Sequence, residues 1–129
     1  MKKSFLLIIT ILLPFAFLQE SCKKDGYANA VKGQYLFTVT DSTFDTNSPL
    51  QIATHDYSGS VTRIKFRKVQ IDYDANRSIT RKLDNLGAII PEEISNHESG
   101  KFEGKNFIYH LDSTTATGWW SINVVGIKQ

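Results

Sequence analysis

A single cysteine, Cys22, stands among the 129 residues, so no disulfide can form within the chain. Neither sign of charge dominates. Beyond the first 21 residues there are 13 basic and 12 acidic side chains, which leaves no broad electrostatic footprint for nucleic acid. The three histidines, His55, His97 and His110, are widely spaced, and no two share the close spacing of a zinc-ligand pair. There is no Gly-x-Ser-x-Gly elbow, no phosphate loop and no dinucleotide fingerprint. Glu92 and Glu93 are adjacent and would point apart, which does not suit acid–base work across a sugar. Together these absences argue against an enzyme, a cofactor or a resident metal. His55-Asp56, His97-Glu98 and the pair His110 and Asp112 read as ordinary loop and strand-face polarity.

What is present begins at the front. Lys2 and Lys3 precede an apolar run, Phe5 to Leu18, broken by Thr10 and Pro14. A membrane span needs roughly 20 apolar residues, and this run is shorter. Its basic start and apolar centre fit a secretory signal. The lone cysteine follows directly. In an exported chain a lone cysteine means an intermolecular bond, a free thiol or a modified residue, and this position favours the last.

The stretch Leu18-Gln19-Glu20-Ser21-Cys22-Lys23-Lys24-Asp25 resembles the start of outer-membrane lipoproteins of the Bacteroidota type, with a loose lipobox and a Cys-Lys-Lys-Asp beginning. The resemblance implies cleavage before Cys22, a diacylglyceryl anchor on its thiol and a place at the outer membrane, on its periplasmic face or the cell surface. The expected organisation is a signal over residues 1–21, a lipid-anchored tether over 22–32 and one domain over 33–129. A mature chain of 108 residues supports one core and not two.

From Gly33 onward the dominant period is two. Tyr35, Phe37 and Val39 alternate with polar neighbours. Ile64 and Phe66 do the same, as do Val69, Ile71 and Tyr73, then Phe107, Tyr109 and Leu111, and Trp120, Ile122 and Val124. Such alternation in β-branched and aromatic residues marks strands with one buried face. The expected fold is all-β and antiparallel, a small barrel or a two-layer sandwich of about seven or eight strands. The closing segment is also faintly similar to small lipocalin-like lipoprotein domains.

The apolar phase slips at Lys68-Val69, which predicts a bulge or a bend there, and Gly126 suggests a second. Asp74-Ala75-Asn76-Arg77 reads as a tight hairpin, with Asn76 suited to a left-handed conformation. Pro91-Glu92-Glu93-Ile94 predicts one short turn of helix. The alternation makes Phe37, Phe66, Ile71, Tyr109, Trp120 and Ile122 core residues, and leaves Lys65, Arg67 and Asp72 exposed.

Three features suggest recognition. Arg63, Lys65 and Arg67 form a basic stripe on one strand face, suited to acidic glycans, lipid phosphates or anionic headgroups, or else serving as a solvated face that discourages edge pairing. Arg81 shares its phase with Ile79 and Leu83, so it either points inward, toward an anion or a buried carboxylate, or snorkels to the rim, as such an arginine more often does. Trp119 lies opposite in phase to Trp120, at a hairpin mouth, where its ring suits a sugar or a partner. The sequence therefore suggests a lipid-anchored, non-enzymatic module whose partners are the membrane and an envelope glycan or outer-membrane protein. The alternative is a barrel that holds a small or anionic ligand in an internal cavity.

Overall fold

A computed structural model describes residues 26–92 and 97–129. One helix, α1 (Gly26–Val31), precedes eight strands: β1 (Gly33–Asp45), β2 (Ser48–Lys65), β3 (Lys68–Asp74), β4 (Arg77–Leu83), β5 (Ile89–Ile90), β6 (His97–Glu103), β7 (Asn106–Thr114) and β8 (Gly118–Lys128). The strands pair antiparallel in the order β5-β4-β3-β2-β1-β8-β7-β6. The chain thus runs up and down around a ring, and β1 and β8 pair from Tyr35–Lys128 to Asp45–Gly118. A bridge between Ala88 and Lys101 spans the remaining seam beside β5 and β6. The result is a nearly closed barrel, not a sandwich.

Residues paired across an antiparallel ladder share a face, so the register shows what points inward. Tyr35, Phe37 and Val39 face in from β1, Val69, Ile71 and Tyr73 from β3, Phe102 from β6, Phe107 and Tyr109 from β7, and Val124 from β8. The aromatic rings fill the lower interior. Phe102 and Phe107 lie 4.5 Å apart between centroids, and Tyr35 stacks on Phe37 at 5.5 Å. Gly126 makes room for this layer, since a Cβ there would come within 2.7 Å of the Phe37 ring. No register shift occurs at Gly126, so the second expected bulge is absent. Val125 and Ile127 stay on the outer face, exposed.

The first expected bulge exists but lies earlier. The register of β2 against β3 slips between Arg63 and Lys65, and Lys65 then pairs with Lys68 across a two-residue hairpin, Phe66-Arg67. Arg67 carries the left-handed conformation, φ 52°. Asn76, in the expected hairpin between Asp74 and Arg77, does not. The apolar alternation at 64–66 therefore belongs to a strand end and a turn, and Phe66 is 54 % exposed, not core. Trp120 and Ile122 face inward but are half-buried, as are Arg67 and Asp72, which the pattern places in solvent. Phe37, Ile71 and Tyr109 are buried and Lys65 exposed, as expected.

Helix α1 occupies residues read from sequence as tether. Ala28 and Val31 are buried against the barrel end where β1 begins. The Tyr35 hydroxyl donates to the Val31 carbonyl at 2.7 Å, the Tyr27 hydroxyl to the Phe102 carbonyl at 3.3 Å, and Lys128 Nζ to the Ala30 carbonyl at 2.8 Å. Tyr27 also lies over Gly87, where any Cβ would strike its ring. This end is the closed end. The turn of helix expected from Pro91 falls largely on residues 93–96, outside those described. No helix among the described residues is long and apolar enough to cross a membrane.

Candidate binding surface

The hairpins β1–β2, β3–β4 and β7–β8 crowd the far end, opposite α1. There Phe44 pairs directly with Trp119 across β1 and β8. Their rings stack at 6.4 Å, and each residue remains 40 % exposed. A cleft of about 320 Å³ lies beside them, lined by Thr43, Asp45, Gln51 and Trp120 among others. Trp119 and Trp120 face opposite sides of β8, yet both reach this cleft because it sits at the strand's start. The two hairpin tips are tied to each other. The Thr46 amide donates to the Thr117 carbonyl at 2.9 Å, and the Thr117 hydroxyl to Asp45 Oδ2 at 3.0 Å. The Asn47 amide and the Thr117 hydroxyl hold the Asp45 carboxyl below its ordinary range. An aromatic platform edged by fixed acceptors is the arrangement that polar, ring-shaped ligands use.

Inside the far half, polar groups replace the aromatic layer. The slip between Asp72 and Asp74 turns Asp74 toward Arg77. Arg77 Nε donates to Asp74 at 2.8 Å and Nη2 donates to Asp41 at 2.9 Å, while Nη1 also bonds Asp41. His55 Nε2 lies 3.2 Å from Asp74. The bond from Asp41 raises the Arg77 pKa, against desolvation. Desolvation pushes Asp74 up, but bonds from Arg77, the Ala75 amide and His55 outweigh it and hold its carboxyl low.

Of the two positions its phase allows, Arg81 takes the inward one and meets a carboxylate of its own chain. Its Nε donates to both oxygens of Glu98, at 2.9 and 3.1 Å. Glu98 is 3 % exposed and also accepts from the Tyr109 hydroxyl at 2.7 Å. Burial, then this bond to Glu98, drives the Tyr109 pKa well up. Arg81 is thus a partner for Glu98.

The basic stripe is not a stripe. The slip at Ile64 leaves Arg63 paired with buried Val69 and Lys65 on the other face with Lys68, while Arg67 sits in the turn. All three lie at the closed end, but Arg63 is on the inner face, apart from Lys65 and Arg67. Cys22 lies outside the described residues.

On the open outer face of β6 and β7, His97 Nδ1 lies 3.4 Å and His110 Nε2 3.9 Å from Asp112 Oδ1, and His110 Nδ1 bonds Asn123 at 2.7 Å. No group of three or more His, Cys, Asp or Glu residues arranged to hold a metal ion occurs among the described residues. Phe44 escaped the sequence reading although a signal existed: it stands out of phase with Phe37 and Val39, so a strand extended to Asp45 must face it outward beside Trp119. No family model, curated protein or solved structure matches the chain.

Proposed function

We propose that the chain is a lipid-anchored, non-enzymatic binding module of a bacterial outer membrane, held through Cys22 and presenting the Trp119–Phe44 cleft to an envelope glycan. One observation carries the reading. Helix α1 begins four residues after Cys22 and covers one end of the barrel, whereas the exposed aromatic pair lies at the other. An anchor at the first end would leave the second free to meet a ligand. The lower interior is filled by aromatic side chains and Arg81 is already held by Glu98, which favours an external site over an internal one.

The test has two arms. Cys22→Ser should move the protein from the membrane fraction to the soluble fraction, or leave it unprocessed; unchanged partition into detergent overturns the anchor. Titration of tryptophan emission with soluble fragments of envelope glycan should saturate, and Trp119→Ala should weaken that binding about tenfold, with little dependence on salt. Equal affinity in the variant overturns the cleft as the site.

A further inference from the structure

The charges of the barrel are sorted by end. Lys65, Arg67 and Lys68 surround the β2–β3 hairpin, Lys82 pairs with Lys68 on the neighbouring strand, Lys105 sits on the β6–β7 turn and Lys32 follows α1. All of these belong to the closed end. Arg77 and Arg81 lie elsewhere, inside the barrel, and are held by Asp41, Asp74 and Glu98. Among the described residues three acids lie at or beside this end: Glu92 lines a cleft with Lys68 and Lys82 and stands 3.6 Å from Arg81 Nη1, and the other two are already engaged. Asp84 is engaged by the Leu86 and Ala88 amides, and Glu103 by Lys101.

Lys65, Lys68 and Lys82 form a row of directly paired like charges across three strands. Such a row is unfavourable in isolation; Glu92 beside Lys68 and Lys82 offsets part of it, and an anionic surface would relieve the rest. Apolar side chains protrude among these cations. Phe66 is at the hairpin tip, 54 % exposed, with the Arg67 guanidinium 5.1 Å from its ring centroid, and Leu86 is at the β4–β5 turn, 72 % exposed. The left-handed turn at Arg67 is what sets Phe66 at the extremity.

The chain before α1 says which surface this end meets. Gly26 lies four residues after Cys22, a length that fully extended reaches at most about 14 Å, and two of the residues between are Lys23 and Lys24. A lipid on Cys22 therefore holds the closed end close to the headgroup layer, near the distance at which surface charge is still felt. We infer that the closed end docks directly on an anionic bilayer surface, with Lys65, Arg67, Lys68 and Lys82 on the headgroup phosphates and Phe66 and Leu86 in the interface. This rests on the anchor proposed above and adds a second, charge-dependent contact that fixes the barrel upright.

The experiment uses the full chain reconstituted into vesicles that carry brominated acyl chains, with Phe66→Trp as the reporter. Phe66 is exposed, so the change does not threaten the fold. In vesicles of phosphatidylcholine with phosphatidylglycerol, the emission that the substitution adds should fall about twofold, whereas Trp119 and Trp120 in the unmodified chain are unaffected. The loss should vanish in phosphatidylcholine alone, in high salt, and when Lys65, Lys68 and Lys82 are changed to Glu. A chain that floats with the vesicles but whose added emission is not quenched overturns the docking and leaves the anchor standing. Quenching equal in neutral and anionic lipid overturns the charge-dependent contact. A chain that fails to float with anionic vesicles overturns both.

Discussion

Tyr35 shows how one hydroxyl couples the helix to the barrel. Its ring lies in the aromatic layer and its hydroxyl bonds the last carbonyl of α1. Burial pushes its pKa from 10.0 up to about 12. A raised value means the neutral form stabilises the fold, fully below pH 10, and that this support is lost as pH climbs toward 12. Tyr35→Phe should therefore cost about 1 kcal/mol at neutral pH and flatten the loss of stability between pH 10 and 12, read from urea midpoints. Arg81 and Glu98 make a sharper case. Arg81→Met strands an almost fully buried carboxylate and should cost about 3 kcal/mol, while Arg81→Met with Glu98→Leu should recover most of it. If the double variant is no more stable than the single one in urea, the pair is not what the position requires. That Arg81 aims inward and not to the rim was only half legible from its shared phase with Ile79 and Leu83. Its partner was not, because Glu98 lies 17 residues on and reaches it only through the curvature of the closed sheet.

At the scale of elements, the β2–β3 hairpin separates what alternation can and cannot tell. The run from Arg63 to Tyr73 alternates throughout, with one slip, and so reads as a bulge or a bend near Lys68. Two events hide in it: a bulge at Ile64 and a turn at Phe66-Arg67. Neither uses Gly, Asn or Asp, the residues that usually announce a tight hairpin. The pattern counts slips but does not distinguish a bulge from a reversal. β1, β3, β7 and β8 show their alternation plainly, and Asp74-Ala75-Asn76-Arg77 carries the usual turn chemistry, whereas most of β2 is an exposed polar ladder without an apolar face and β6 begins at His97 in a stretch whose pattern is not strand-like. Helix α1 was missed because six residues give too little periodicity, and only Ala28 and Val31 are buried. The placements of Phe66 and Phe107 make the distinction measurable. Phe107→Ala, deep in the aromatic layer, should cost about 3–5 kcal/mol, and Phe66→Ala should change stability by under about 0.5 kcal/mol. Comparable urea midpoints for the two variants would place the turn elsewhere.

For the molecule as a whole, the decisive contact is the one between its first and last strands. β8 lies between β1 and β7 and gives both their inner partner. A chain that stops before Gly118 should show no cooperative urea transition, because it loses two ladders and the seam together; a sharp transition in that chain would mean the seven remaining strands are self-sufficient. The pairing has a consequence in time. Tyr35 meets Lys128 after 93 intervening steps along the chain, and contacts so remote in sequence form late and slowly. A polypeptide delivered N-terminus first cannot complete this ring until β8 has emerged. Until then its first strand waits with one edge bare. Such a fold stays threadable through any narrow passage during its synthesis, and becomes resistant to passage only once the last of its eight strands has arrived.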